Sequence, residues 1–387
     1  MPRKKEKYPV LVITGTRAEY GLLRTVMRHI QQSSALSLRI LVTGMHTLAR
    51  YGMTSKELSK DGFTIDCIVP VKESMSMLTQ LSTEIQGCEA YCVHSRPACI
   101  VVLGDRDEAL AGALVGSHAG IPVLHIHGGD VSGSENVDEL IRHAITKLSH
   151  IHCVATPKSF KRVCLLGEEP SRVHLVGAPG LDELRTEKYM SRKDFAKHFG
   201  LDPEKEFIVM VQHPSPLDEV PVDTQIRETI TALQNSDAEK IVIYPNADTG
   251  SHTIIQHIQK VEGTPGWHVQ VNMPRSMYIN ALKHARVMVG NSSSGIIEAG
   301  YFKLPVVNIG SRQKGREAGK NVLHARYDAR DIHKKVMYAL STQFRMRIKK
   351  MEHPYGSGRS GEKIVRVLER SLKNPSIIHK QFTYADL

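Results

Sequence analysis

The chain has 387 residues, of which 41% are hydrophobic and 24% are charged, a composition that is typical of a folded globular protein and excludes a disordered one. No apolar run approaches the roughly 18–20 residues of a membrane span, and residues 1–9 lack the apolar core of a signal peptide, so we expect a cytosolic protein with no membrane partner. The net charge of +11 favours acidic partners, but the basic residues are scattered and only 5% of residues are aromatic, which argues against nucleic acid.

The first half of the chain alternates short apolar runs with longer helical stretches. The apolar runs predict buried parallel strands, because they are bounded by Gly, Pro or polar residues: VLVITG, LRILVTG, IDCIVPV, CIVVLGD, PVLHIHGG, IHCVAT and HLVGAPG. Stretches such as AEYGLLRTVMRHI and EALAGALVGSHAG predict the helices between them. This alternation, with right-handed crossovers, predicts a doubly wound α/β sheet.

A charged segment at about 180–206 interrupts the alternation, which then restarts. The runs FIVMVQH, KIVIYPN, WHVQVN, RVMVGN and PVVNIG predict a second parallel sheet. We therefore expect an N-terminal domain over 1–180 and a C-terminal domain over 181–357, with a helix in 358–387 that packs back on the first domain. Two hinged parallel sheets leave a cleft at the carboxyl ends of their strands, where ligands bind.

The loop VITGTRAEYGLL, at 12–23, connects a strand to a helix through a glycine. The first N–H groups of such a helix are unpaired and suit a phosphate. Arg17 is placed for a bidentate phosphate contact, and Ala18 and Glu19 complete this candidate binding segment.

The loop VGNSSSGIIEAG, at 289–300, repeats this arrangement in the second half. Its candidate phosphate-binding groups are the N–H and hydroxyl groups of Ser292, Ser293, Ser294 and Gly295. Glu298, one turn into the helix, is placed to accept hydrogen bonds from ribose hydroxyls. Together the two loops predict a site for a nucleoside diphosphate.

Further polar groups follow other strands in each half. In the first half the candidates are Asp105, Arg106, His127, Asp130, Asp138 and Arg142. In the second half they are His213, Asn246, Asp248 and Arg312. Because the carboxyl ends of parallel strands meet at one edge of a sheet, these groups predict a cleft enzyme.

The spacing of His125, His127 and Asp130 resembles a metal-binding pattern, since alternate residues of a strand share a face. No further ligands occur at the spacing of known metalloenzyme motifs, so we expect no metal. The six cysteines include no C-x-x-C pair, which argues against structural zinc and a disulfide framework.

Seven segments, in chain order, resemble the UDP-N-acetylglucosamine 2-epimerase family over about residues 10–325: ITGTRAEYGLL, GDRDEALAGALVG, HIHGGDVSG with DELIRHAITKLSH, VQHP, YPNADTGS, GNSSSGIIEAG and NIGSRQKGRE. The hydrolysing branch, which makes N-acetylmannosamine for sialic acid synthesis, is the most similar. The resemblance implies a GT-B-like fold of two Rossmann-like domains facing a central cleft, a homodimer or homotetramer, and no cofactor.

The resemblance also implies roles for individual residues. Carried over by position, UDP is held by Arg17, His213, Asn246, Ser292, Ser293, Glu298 and Arg312. Asp105 and Asp138 match acidic catalytic positions, and His213 is a further catalytic candidate. His127 stands where this branch has an acid before the Gly-Gly pair, and Asp130 stands where it has Glu, so either residue completes the catalytic set.

The implied reaction converts UDP-N-acetylglucosamine and water to N-acetylmannosamine and UDP through a 2-acetamidoglucal. Four alternatives stay open: a hydrolysing 2-epimerase of UDP-2,4-diacetamido-2,4,6-trideoxy sugars, a non-hydrolysing UDP-N-acetylglucosamine 2-epimerase, a GT-B glycosyltransferase and a nucleotide-sugar sensor. Asp105 and Asp138 count against a sensor, because UDP binding alone does not need them.

Overall fold

The computed structural model describes residues 6–131, 137–246 and 248–383. The chain divides into two compact units. The first comprises Met1–Asp130, Glu135–Glu183 and Tyr355–Leu387, and the second comprises Val131–Ser134 and Leu184–Pro354. Each unit is built on one parallel sheet.

The first sheet has seven strands, in the order β3-β2-β1-β4-β5-β6-β7. They are β1 (Tyr8–Thr14), β2 (Leu36–Val42), β3 (Cys67–Ile68), β4 (Cys99–Leu103), β5 (Val123–Ile126), β6 (Ile151–Val154) and β7 (Val173–Leu175). The second sheet has six strands, in the order β10-β9-β8-β11-β12-β13. They are β8 (Phe207–Val211), β9 (Glu239–Ile243), β10 (Trp267–Gln270), β11 (Val287–Gly290), β12 (Val306–Ile309) and β13 (Val322–Ala325).

Helices connect the strands of both sheets. The first seven are α1 (Arg17–Gln32), α2 (Ser55–Lys60), α3 (Met77–Ser95), α4 (Asp107–Ala119), α5 (Val137–Leu148), α6 (Pro157–Leu165) and α7 (Asp182–Thr186). The later ones are α8 (Arg192–Phe199), α9 (Val222–Gln234), α10 (Ser251–Gln259), α11 (Arg275–His284), α12 (Ser293–Ile297), α13 (Ala329–Leu340), α14 (Thr342–Ile348) and α15 (Ser360–Ser371). No helix in the described part of the chain is long and apolar enough to cross a membrane.

Both sheets have the strand order of a doubly wound α/β fold. Each order reverses beside its first strand, between β1 and β4 in one sheet and between β8 and β11 in the other. Loops that leave adjacent strands on opposite sides of such a reversal diverge and open a crevice at the carboxyl edge. The sequence-based prediction of two Rossmann-like parallel sheets is confirmed.

Two edge strands differ from the sequence-based expectation. The predicted strand IDCIVPV is reduced to the two residues of β3, because Pro70 has no N–H to donate and only β2 lies beside it. The edge strand β13 was not predicted, because its sequence VLHA has only four residues and its apolar run is interrupted by the exposed His324. The other two edge strands, β7 and β10, lie within predicted runs.

The helix α15 completes the core of the first unit. Its residues Ile364 and Leu368 are fully buried in the same apolar cluster as Leu23 and Val26 of α1. The cluster lies against the central strand β1. Residues near the end of the chain therefore stabilise its first strand and helix through the hydrophobic effect.

Gly290, the last residue of β11, has a conformation that other residues rarely adopt. Its φ is +131°, and a Cβ there would lie 2.0 Å from the carbonyl oxygen of Val211 at the end of β8. We expect Gly290→Ala to lower the thermal unfolding temperature, because left-handed strain alone costs about 1–3 kcal/mol and the backbone must also move. The measurement is circular dichroism during heating.

Gly21 is the matched control for this substitution. It lies inside α1, and a Cβ added there would have no neighbouring atom within 4 Å. Gly21→Ala should raise the unfolding temperature slightly, since Ala in a helix is favoured over Gly by about 0.5–1 kcal/mol. Equal unfolding temperatures for the two variants would contradict the steric argument for Gly290.

Candidate functional site

Glu19 braces the loop between β1 and α1 from inside the first unit. The side chain is buried, and its Oε2 accepts a hydrogen bond from the Gly15 N–H at 3.0 Å. Burial, followed by the nearby charge of Glu108, raises the pKa of Glu19 well above its usual value. A Cβ on Gly15 would lie 2.3 Å from the Glu108 carboxyl, so this approach needs glycine. The Glu19 side chain therefore holds the loop from inside the unit and does not point outward from it.

Arg17 and Ala18 lie at the exposed start of α1, beside this buried carboxyl group. Arg17 is largely exposed, and its Nε is 3.2 Å from Glu57 Oε1. An exposed pair of this kind contributes little to stability, so Arg17 can exchange Glu57 for an anionic ligand at small cost. This keeps Arg17 available for the phosphate role expected from the sequence.

Arg142 of α5 joins the loops that follow β4 and β5. Its Nη2 donates to the carboxylate of Asp105, and its Nη1 donates to the carbonyl oxygen of Asp130 at 2.6 Å. The Arg142 side chain is buried, whereas Asp105 is partly exposed. A buried guanidinium has several donors in a fixed geometry, so it sets the relative position of the two loops. Asp105 and Asp130 therefore lie in one cluster of the first unit.

His127 follows β5 and pairs with Asp130. The His127 Nδ1 lies 2.8 Å from Asp130 Oδ2, and Ser159 of α6 donates its hydroxyl to Asp130 Oδ1 at 2.6 Å. His127 has a φ of +66°, and β5 ends at Ile126, so the alternation expected to place it on one face with His125 stops before it. The side chain of His127 is instead directed by its contact with Asp130.

His125 has a structural environment that differs from that of His127. It is fully buried, and its Nε2 and Nδ1 lie 2.8 Å from the Gly104 carbonyl oxygen and 3.2 Å from Thr146 Oγ1. Burial lowers the pKa of His125 to about 3, so the ring is neutral. In the described residues, no group of three His, Cys, Asp or Glu side chains could hold a metal ion.

Asp138 lies in the first turn of α5, near Arg106. The pKa of Arg106 is lowered by burial but raised on balance by Glu108, by Glu19 and also by Asp138, which places these charges close together. Asn136, which precedes this helix in sequence and is a candidate N-cap by its residue type, lies outside the described residues. The first unit thus brings five of the expected residues together: Asp105, Arg106, His127, Asp130 and Asp138, with Arg142 between their loops.

Asn291 connects three loops at the carboxyl edge of the second sheet. Its Oδ1 accepts from the His213 N–H at 2.7 Å, and its Nδ2 donates to the His213 carbonyl oxygen at 2.8 Å. Its own carbonyl oxygen accepts from Gln313 Nε2 at 2.9 Å and from Arg312 Nη1 at 3.3 Å. This fully buried residue therefore fixes the loops after β8, β11 and β12 relative to one another.

His213 is held in one tautomer by the loop that follows β9. Its Nδ1 accepts a hydrogen bond from the Asn246 N–H at 3.2 Å, which leaves the ring proton on Nε2. Burial, followed by the charge of Arg312, lowers the pKa of His213 to about 4. At neutral pH the ring is a neutral donor, which suits an oxygen of a phosphate or a leaving group.

The loop that contains Ser292, Ser293 and Ser294 makes few side-chain hydrogen bonds to the rest of the second unit. Ser292 caps α12 by accepting from the Ser294 N–H at 3.3 Å, and the Tyr278 hydroxyl donates to Ser294 Oγ at 2.7 Å. Ser293 and Gly295 begin the helix that follows. Glu298, which ends α12, pairs with Arg275. The expected ribose-binding carboxylate is therefore positioned by a cation.

Arg312 lies in a loop that is anchored on both sides. Its Nη2 is 3.9 Å from Asp248 Oδ2, and the preceding residue, Ser311, donates to Asp218. Asp218 also accepts from the Tyr327 hydroxyl at 2.7 Å. The second unit therefore places His213, Asn291 and Arg312 at one end of its sheet, with Asp248 beside Arg312.

Several residues that organise these loops were not among the candidates from the sequence: Glu84, Glu108, Ser159, Asp218, Tyr278, Asn291 and Tyr327. Asn291 carried a signal, since it lies in the GNSSSG motif at the end of a strand. Glu84 carried none, because it lies within α3, where burial beside Glu108 raises its pKa to about 8. Ser159 likewise contacts Asp130 only through the tertiary fold.

Known proteins resemble this chain over nearly its whole length. The family model for UDP-N-acetylglucosamine 2-epimerase matches residues 28–369. A Legionella pneumophila protein named UDP-N,N'-diacetylbacillosamine 2-epimerase (hydrolyzing) is 38% identical over 381 residues, covering 97% of this chain and 99% of that protein. A Neisseria meningitidis protein named UDP-N-acetylglucosamine 2-epimerase is 33% identical over 343 residues, covering 86% and 87% of the two chains.

A solved structure also matches the fold. The crystal structure of UDP-GlcNAc 2-epimerase from Neisseria meningitidis bound to UDP-GlcNAc superposes with a TM-score of 0.77 at 17% identity, covering 95% of this chain and 100% of that chain. At this identity the likeness concerns the fold alone. The expected GT-B-like class, with two Rossmann-like parallel-sheet units, is confirmed.

The contacts of Asn291 predict an effect on stability. Asn291→Ala leaves the buried N–H and carbonyl groups of His213 without their partners, which costs about 2–4 kcal/mol of unfolding free energy. Asn321 is the control, because it is also fully buried but donates one backbone bond, to the Leu304 carbonyl oxygen at 2.8 Å. Urea unfolding should show the larger loss for Asn291→Ala, and a larger loss for Asn321→Ala would contradict the role of Asn291 as the connection between loops.

Proposed function

The chain belongs to the UDP-N-acetylglucosamine 2-epimerase family, and on that basis we propose that it is a hydrolysing 2-epimerase of UDP-linked 2-acetamido sugars. The observation that carries the hydrolysing assignment is the 38% identity to the Legionella pneumophila enzyme, which covers 97% of this chain. The products are UDP and a free sugar with the opposite configuration at C2.

The proposed reaction has an elimination step and a hydration step. In the elimination, a base removes the C2 proton, a C1–C2 double bond forms, and the C1–oxygen bond breaks so that UDP leaves with its electrons. In the hydration, water adds a hydroxyl to C1 and a proton reaches C2 from the other face. Positive charge develops at C1 as UDP leaves, so carboxylates near the ring favour the transition state.

The first unit supplies the acid and base groups in this proposal. Asp105 and Asp138 transfer protons and stabilise charge at the sugar, and the pair His127–Asp130 completes the set. Arg142 supports this assignment because it holds Asp105 and the backbone of Asp130 in one cluster. Arg106, next to Asp105, adds a cation that balances the carboxylates nearby.

The second unit binds UDP in this proposal. Arg312 and the neutral Nε2–H donor of His213 stabilise the diphosphate as it departs. Ser292, Ser293, Ser294 and the N–H of Gly295 offer further donors, Glu298 binds the ribose, and Asn246 and Asp248 line the neighbouring loop. In the first unit, Arg17 is a further candidate phosphate ligand, with Ala18 exposed beside it and Glu19 buried in the same loop.

The sugar of the substrate is proposed to be the 2,4-diacetamido-2,4,6-trideoxy sugar of UDP-N,N'-diacetylbacillosamine. The support is the name and the 38% identity of the Legionella relative. UDP-N-acetylglucosamine, which the sequence motifs favoured, is the second candidate. It is supported by the Neisseria relative, at 33% identity over 86% of this chain.

We expect the purified protein to release UDP and a free C2-epimerised sugar faster from UDP-N,N'-diacetylbacillosamine than from UDP-N-acetylglucosamine. The experiment supplies each UDP sugar without an acceptor and follows the products by NMR. Release of UDP with an epimerised free sugar supports the proposed reaction, and the ratio of kcat/KM values decides the substrate.

Other products identify the competing functions. A UDP-linked epimer without free UDP would indicate a non-hydrolysing epimerase. Turnover that begins only when an acceptor sugar is added would indicate a glycosyltransferase. Tight binding of both UDP sugars with no turnover would indicate a sensor, and each of these three results would overturn the proposal.

Asp105→Asn should lower kcat by about 10²–10⁴-fold while leaving UDP affinity unchanged, because it removes a proton-transfer group and keeps the shape of the side chain. Asp66→Asn is the control, since Asp66 also pairs with an arginine of the first unit, Arg39, at 3.2 Å but lies before β3 and not after a strand. The measurements are steady-state UDP release and calorimetric UDP binding. Wild-type turnover in Asp105→Asn would remove Asp105 from the mechanism.

A further inference from the structure

The backbone of His127 is strained in a way that is typical of functional sites. Its φ of +66° lies in the left-handed region, where a residue with a Cβ costs about 1–3 kcal/mol and persists only if the surroundings impose it. The residue directly after it is Gly128, so the chain had a glycine available for this turn at the next position. The conformation of the turn therefore does not explain why position 127 carries an imidazole ring.

Asp130 is fixed at three points around this ring. Its Oδ1 accepts from the Ser159 hydroxyl at 2.6 Å, its Oδ2 lies 2.8 Å from His127 Nδ1, and its carbonyl oxygen accepts from Arg142 at 2.6 Å. Ser159 is itself buried and in contact with Thr156, the residue that caps α6. With both oxygens occupied as acceptors, Asp130 orients the ring of His127 and is poorly placed to act on a substrate itself.

This contact determines which nitrogen of His127 carries the proton. A carboxylate only accepts hydrogen bonds, so Nδ1 must donate, and in the neutral ring Nε2 then keeps its lone pair. The Nε2 atom is buried and has no hydrogen-bond partner among the described residues, while the side chain as a whole is 11% exposed. An unpaired buried polar atom costs about 1–3 kcal/mol, which is explained if a ligand group approaches it during function.

An unpaired buried nitrogen alone does not distinguish His127, because His152 Nδ1 is also buried without a partner among the described residues. Two other histidines of the same sheet show what else differs. His125 has partners on both nitrogens. His152, inside β6, also pairs with a carboxylate, since its Nε2 is 3.0 Å from Glu168 Oε2. Glu168, however, also pairs with Lys147 and Lys380, and both His152 and Glu168 are fully buried. Of these three, His127 alone combines an orienting carboxylate with a position after the end of a strand.

We infer that His127 Nε2 is the base that removes the C2 proton. Asp130 and Ser159 are positioning residues, which keep the proton of the neutral ring on Nδ1 and orient Nε2 towards the substrate. The inference rests on the proposed function, and it names the group of the His127–Asp130 pair that acts on the substrate. The Nε2 lone pair takes the C2 proton, the C2–H electrons form the C1–C2 double bond, and the C1–oxygen electrons leave with UDP. The imidazolium that results is stabilised by Asp130 until it loses its proton to water.

The first test reads the tautomer in the free protein. Nitrogen-15 NMR of the labelled chain, with the His127 signals assigned by their loss in His127→Asn, should show a proton on Nδ1 and none on Nε2. Asp130→Asn should move the proton toward Nε2, because an amide can donate to Nδ1. A wild-type ring protonated on Nε2 alone would overturn the inference, whether or not the protein turns over any UDP sugar.

The second test uses turnover of the UDP sugar that the wild-type protein hydrolyses. His127→Asn preserves a residue type that tolerates the left-handed backbone but cannot act as a base. We expect kcat for UDP release to fall by about 10²–10⁴-fold, with UDP affinity unchanged and a larger kinetic isotope effect from deuterium at C2. Added imidazole should restore part of the activity of His127→Gly, and Ser159→Ala should lower kcat without changing KM.

His152→Asn is the matched control, since it removes a histidine that also pairs with a carboxylate. It should lower the unfolding temperature, leave kcat of the folded protein unchanged and show no response to imidazole. Turnover of His127→Asn at the wild-type rate would overturn the inference while leaving the proposed function in place. Failure of the wild-type protein to hydrolyse either UDP sugar would instead overturn the proposed function, and the tautomer measurement would still decide the orientation of His127.

Discussion

In both units, one buried side chain holds the loops at the carboxyl edge of a parallel sheet. Parallel strands end together at that edge, and the polar backbone groups of the loops beyond them need partners that the sheet no longer supplies. Arg142 provides these contacts in the first unit by reaching Asp105 and the carbonyl oxygen of Asp130. Asn291 does so in the second, with contacts to His213, Arg312 and Gln313. The positions of the candidate groups follow from these two residues.

The two units use their loops for different chemistry. The first unit collects carboxylates and a strained histidine around a guanidinium, an arrangement suited to moving protons. The second collects neutral or cationic donors around an amide, with burial keeping His213 uncharged. The proposed elimination of a diphosphate from a sugar requires both kinds of environment, and it gains most from donors that are already oriented before the substrate arrives.

Sequence patterns predicted the central strands well, because β4 is fully buried and apolar throughout and β1 is buried from Val10 onwards with a continuous apolar run. They overestimated the length of the edge strand β3 and missed the short edge strand β13, whereas the edge strands β7 and β10 were predicted. Asp105, His127 and His213 could be predicted from the sequence, because each is a polar residue at or directly after the end of an apolar run. The contact of Ser159 with Asp130 could not be predicted, because the two residues are 29 positions apart in sequence and come together only when α6 packs in the folded unit. The end of β5 before His127 could not be predicted either, because it depends on the positive φ of that residue.

The packing of α15 against α1 also bears on how the protein is made. The core around β1 includes Ile364 and Leu368, so it stays incomplete until the ribosome has synthesised nearly all of the chain. The second unit ends at Pro354 and has its full set of strands earlier. During translation the later sheet can therefore reach its native state while the earlier one still exposes apolar surface to chaperones, which reverses the usual order of N-terminal first.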